Sequence, residues 1–78
     1  MTYIVEVSYS TKMHGWGTLD QEICKWVGRR HSSGAGTDLT TGWRDMTFDY
    51  KKKTDADKAV LAAKKRLKRG MRVKLFEI

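Results

Sequence analysis

Three segments of this chain alternate side chains with a period of two. They are Tyr3–Tyr9 (YIVEVSY), Trp43–Tyr50 (WRDMTFDY) and Met71–Ile78 (MRVKLFEI). Alternation among β-branched and aromatic residues is the pattern of a strand buried on one face only. In the first segment Tyr3, Val5, Val7 and Tyr9 point one way, and Ile4, Glu6 and Ser8 the other. In the second, Met46, Phe48 and Tyr50 oppose Trp43, Asp45, Thr47 and Asp49. In the third, Met71, Val73 and Leu75 oppose Arg72, Lys74, Phe76 and Ile78. A sheet with one wet face needs a helical layer on the other.

Two stretches are suited to supply that layer. Leu19, Ile23, Trp26 and Val27 make an apolar stripe at helical spacing, behind a Thr18/Gln21 capping-box pair. Gly28 would cost a helix interior about 1 kcal/mol relative to Ala, which puts the last turn in question. Ala56, Val60, Ala63 and Leu67 recur in the same way, with Thr54 as the cap, Asp55 and Asp57 near the positive end, and Gly70 as the stop. Between the helical stretches, His31–Gly42 carries three glycines. It is expected to hold a weak edge strand near Ala35–Leu39 and a turn at Thr40–Gly42. Thr11–Gly17 reads as a plain connection.

The resulting order is strand, helix, weak strand, strand, helix, strand. It is the split βαβ arrangement called ferredoxin-like: an α+β, βαββαβ two-layer sandwich with a four-stranded antiparallel sheet and two helices on one face. The first and Trp43–Tyr50 strands are expected at its centre. With 78 residues the chain has room for one core, so 1–78 is expected to be a single small basic domain.

Charge narrows the function classes. The formal net charge is +7, and residues 51–74 hold eleven basic side chains against two acidic ones. If the second helix runs to Gly70, Lys58, Leu61, Lys65, Lys68 and Arg72 share its solvent side. A cationic stripe is the footprint of a protein that binds phosphate backbones by releasing counterions. It is also what a well-solvated helix with cations at its negative end looks like. The first reading makes Lys58, Lys65, Lys68, Arg69, Arg72 and Lys74 the contacts to RNA or DNA, or to an acidic surface on a larger protein complex. Trp16, between Gly15 and Gly17, is then a stacking ring, although a lid over the helix ends is the simpler role for it.

The open sheet face permits a test. Laid on the aromatic octamer of RNA-recognition motifs, Thr41–Phe48 matches loosely at Gly42, Trp43, Met46 and Phe48. Asp45 falls where an aromatic should stack a base, and Glu6 and Asp49 share its face, so the chain does not belong with those domains. The same face gathers Ile4, Trp43, Phe76 and Ile78, a patch suited to a homodimer or to docking on another protein. In size and simplicity the chain resembles small basic domains made by phages and mobile elements, anti-CRISPR and other host-takeover inhibitors among them. No motif carries that resemblance.

Chemistry is sparse. His14 and His31 have no partners at metal spacing, and the single Cys24 is expected to be a small buried thiol, which suits a reducing, cytoplasmic setting. No run of eighteen apolar residues could span a membrane. Ser32–Gly36 has the composition of a phosphate-cradling loop without the Lys and Ser/Thr that define one. No catalytic residues, metal or cofactor are expected, and the reading is of a non-enzymatic binding protein.

Overall fold

The computed structural model describes residues 1–78. Its elements, in chain order, are β1 (Tyr3–Ser10), α1 (Thr11–His14), α2 (Asp20–Val27), β2 (Gly34–Thr37), β3 (Trp43–Tyr50), α3 (Lys53–Lys64) and β4 (Met71–Glu77). The architecture is α+β: one open sheet in the order β2-β3-β1-β4, every neighbour antiparallel, with three helices.

The registers follow from the alternation. Val5 pairs with Phe48 and Leu75, and Val7 with Met46 and Val73, so these side chains share one face. That face meets Leu19, Ile23, Cys24 and Val27 from the α2 region and Ala56, Ala59 and Ala63 from α3 in a single buried cluster. The opposite face carries Ile4, Glu6, Ser8, Trp43, Asp45, Thr47, Asp49, Arg72, Lys74 and Phe76, as the sequence pattern anticipates. Three alanines let α3 lie close against β1, β3 and β4.

The helical layer departs from the sequence reading in five places. The supposed connection opens with a helical turn, α1, because the buried Thr11 is anchored at Gly42: its amide and hydroxyl both donate to the Gly42 carbonyl, at 2.8 and 2.6 Å. Thr18 does not cap α2. Its hydroxyl turns back to the His14 carbonyl, Leu19 takes the cap position, and no capping box forms. Gly28 ends α2 as a left-handed cap with φ of 73°, a conformation without steric penalty only for glycine. Thr54 is likewise no cap, since α3 begins at Lys53 after Lys52.

The fifth departure bears on function. α3 stops at Lys64, well short of Gly70, and its last turn tightens as the Arg66 amide bonds to the Ala63 carbonyl. Continuing the helix would place Lys64 over Lys68 and Lys65 over Arg69, like-charge pairs four residues apart that weaken a helix. The edge strand is also displaced, covering Gly34–Thr37 in place of Ala35–Leu39. Asp38 turns the chain there by accepting hydrogen bonds from the Thr40 and Thr41 amides at 2.8 and 3.2 Å.

Candidate nucleic-acid interface

Because α3 ends early, the expected cationic stripe is split. Lys58 lies on α3; Lys65 is the cap just past its last residue; Lys68 and Arg69 are in the following loop. Arg72 and Lys74 project from β4 on the opposite, open face of the sheet. Lys68 stands 3.9 Å from Glu22, and the Arg69 carbonyl is 2.7 Å from His14 Nε2. These six residues do not share one helix face. Trp16 is no lid, for the residue is 64% exposed in the loop between α1 and α2.

The open face carries Arg72 and Lys74 beside the apolar patch, as the alternation in Met71–Ile78 anticipates. Arg72 lies over the Trp43 ring, and Lys74 sits opposite Glu6. Ile4 pairs with Phe76, which is 43% exposed, and Ile78 at the strand end is 75% exposed. Two cations and three carboxylates (Glu6, Asp45 and Asp49) occupy this face. It is mixed in charge and slightly acidic, a poor surface for phosphate.

Fourteen of the sixteen basic side chains therefore lie elsewhere: Arg44 on the inner sheet face, the rest on the helices and the connections at the sheet's ends. The best-formed concave surface is among them. An open cleft of about 490 Å³ runs between α2 and β2, and a groove of about 450 Å³ runs between α2 and α3. Lys25, in the last turn of α2, and Arg29, just past its Gly28 cap, line both hollows. Arg30, His31 and Arg44 extend the lining on one side and Lys58 on the other. The guanidinium of Arg29 is fixed 4.2 Å above the Tyr50 ring and donates to the Asp49 carbonyl at 2.7 Å. Lys25, Arg30 and Lys58 make no salt bridge, the ion pairs of the molecule being Arg44–Asp20 and Lys68–Glu22.

One end of the cleft is a built polar network. Arg44 meets Asp20 with three contacts of 2.8 to 3.0 Å and donates to the Thr37 hydroxyl at 3.0 Å. The buried Tyr9 hydroxyl donates to the same carboxylate at 2.5 Å. Burial alone would raise the Asp20 pKa, but hydrogen bonds from Arg44 and Tyr9 outweigh it and hold the carboxyl below its usual range. Burial, then the Asp20 hydrogen bond and charge, push Tyr9 up to about 12. Cys24, on the cleft floor, is a buried free thiol whose pKa is raised by burial and then by the Asp20 charge. No three His, Cys, Asp or Glu side chains come together as a metal site. No helix is long and apolar enough to cross a membrane.

Lys25, Arg29, Arg30 and His31, which line the cleft, lie outside the 51–74 block from which the sequence analysis draws its cationic contacts. The run Lys25-Trp26-Val27-Gly28-Arg29-Arg30-His31 was a signal available to it: a helix end followed at once by three basic or imidazole side chains. No protein-family model matches the chain, and no significant match is found among curated proteins or solved structures.

Proposed function

We propose that this is a non-enzymatic binding protein whose helical layer holds the phosphate backbone of RNA or DNA. The observation that carries the reading is the partition of charge. The open sheet face is slightly acidic, while the whole positive surplus lies on the helices and end connections, with Lys25, Arg29, Arg30 and Lys58 around two adjoining hollows. Cations without carboxylate partners are free to replace the counterions of a polyanion. The two crossovers through α2 and α3, with a hairpin between them, support assigning the domain to the ferredoxin-like arrangement, with α1 as an added turn.

Fluorescence anisotropy with labelled oligonucleotides of about 12 nucleotides tests the function. If four phosphates are neutralised, log K falls against log salt with a slope of roughly −3. Reversing Lys25, Arg29, Arg30 and Lys58 to Glu should abolish binding. Tight binding indifferent to salt would contradict the proposal.

A second reading has its own support. The exposed Phe76 and Ile78 beside Ile4 and the Arg72-covered Trp43 form a mixed apolar and charged patch on the open face. Such a patch suits docking on a larger protein complex, as a phage-type inhibitor would, or a second copy of the chain. A protein partner recovered from nuclease-treated lysate, and lost on Phe76→Glu, would favour it.

A further inference from the structure

The cleft between α2 and β2 has features that attraction to phosphate does not require. The edge strand is Gly-Ala-Gly-Thr, so it brings almost no side-chain bulk to the sheet beside α2 and leaves the space there unfilled. Cys24, Ala35 and Met46 make an apolar floor. Gln21 and Ser32 add an amide and a hydroxyl to the lining, alongside Lys25, Arg29, Arg30 and His31. The Arg44–Asp20 pair, its charges already matched, closes one end. At about 490 Å³ the cleft is within the ordinary range for small-molecule sites.

An apolar floor, hydrogen-bonding groups above it and cations at the rim are the complement of a flat heteroaromatic ring attached to phosphates. The planar Arg30 guanidinium and the His31 ring can cover such a ring, since guanidinium and aromatic planes both stack bases. A base held in a duplex must first be unstacked and unpaired to enter a cleft, whereas a base in a single strand is free to do so. Resting on the backbone-binding reading above, we infer that this cleft takes one unpaired nucleobase of a single strand whose phosphates lie along Lys25, Arg29 and Arg30. The protein then prefers single-stranded RNA or DNA to duplex.

Four probes test this at one low salt concentration: a single-stranded RNA, the corresponding DNA, the DNA duplex, and the DNA strand with its bases removed. Both intact single strands should bind about tenfold or more tightly than the duplex, with the abasic strand falling to the duplex level. Ala35→Tyr fills the cleft from an exposed edge position without altering any charge. It should lower single-strand affinity about tenfold and leave duplex affinity within about twofold, with circular dichroism confirming the fold. An abasic strand bound as tightly as the intact one overturns the inference and leaves the backbone reading standing; that arm needs no variant to fold. If only the RNA or only the DNA strand shows the preference, the cleft reads the sugar as well as the base, and the inference is supported for that strand. Failure of every probe to bind overturns the backbone reading and the inference together.

Discussion

The Arg72 guanidinium carbon lies 4.2 Å from the centroid of the Trp43 ring, reaching from β4 to β3 across the intervening β1. Small residues make the reach feasible, because Ser8 is the β1 partner of Arg72 and Ser10 that of Trp43. Ser8 is only 1% exposed although it is on the open face, and its hydroxyl donates to Asp45 at 2.7 Å. Arg72 is thus engaged in covering the sheet, with a cation–π contribution of about 1 kcal/mol. Arg72→Ala in a Trp16→Phe background should red-shift the tryptophan emission. Arg72→Gln with Lys74→Gln should weaken oligonucleotide binding less than about threefold, where Lys25→Gln with Arg30→Gln weakens it about tenfold or more.

The Tyr9–Asp20–Arg44 network gives stability a dome-shaped dependence on pH. Asp20 has its folded pKa depressed, so the stability it contributes is complete above about pH 4 and is lost as pH falls through the folded value. Tyr9 behaves in the opposite sense. Its pKa is raised from 10.0 to about 12, so its contribution is complete below pH 10 and is lost as pH rises through 12. Tyr50 and Cys24, also raised by burial, add to the alkaline loss. Urea midpoints should be flat near neutrality and fall at both ends. Tyr9→Phe should lower stability at pH 7 by about 1.5–3 kcal/mol, the range for a hydrogen bond to a charged group, and flatten the alkaline limb.

The strands were legible because their pattern is local. Alternation in Trp43–Tyr50 alone places Met46 and Phe48 inward and Asp45 and Asp49 outward, and the registers agree. Helix ends were not legible in the same way, because they depend on distant partners. Thr18 has the residue type of a cap, but α1 offers it the His14 carbonyl, and α1 itself exists through the contact of Thr11 with Gly42. The candidate site suffered from the same error. A helix drawn to Gly70 aligned Lys58 with Arg72, whereas the real terminus at Lys64 sends them to opposite layers. The cleft could not be read at all, since it arises where the small residues of β2 leave space beside α2, two elements with no shared pattern.

Gly70, at the α3–β4 junction, should be the least replaceable of the seven glycines. Its φ is 78°, and a Cβ there would stand 2.5 Å from Met13 Sδ. The thioether can swing away, but the left-handed backbone cannot relax, because the Gly70 carbonyl accepts the Ser10 amide at 2.8 Å. Gly70→Ala should therefore lower stability by about 1–2 kcal/mol. Gly36→Ala is the control, because a Cβ there meets nothing within 4 Å and needs no left-handed backbone. Its urea midpoint should match or slightly exceed that of the parent.

The close approach of α3 to the sheet sets the last expectation. Ala56, Ala59 and Ala63 are its buried residues, and Ala56 and Ala63 are wholly inaccessible to solvent. Helical spacing puts them along one stripe, facing the β1, β3 and β4 strands that α3 contacts. A packed interior has no void for extra methylenes, so a larger side chain must push the helix outward or leave its preferred rotamer. Ala63→Leu should thus destabilise by roughly 1–3 kcal/mol even though it adds apolar surface. Leu61→Ala, at an exposed position on the same helix, should change stability by less than about 0.5 kcal/mol. If the two urea midpoints moved equally, α3 would not be seated on its alanine stripe, and the grooves that α3 and α2 define would have a different shape.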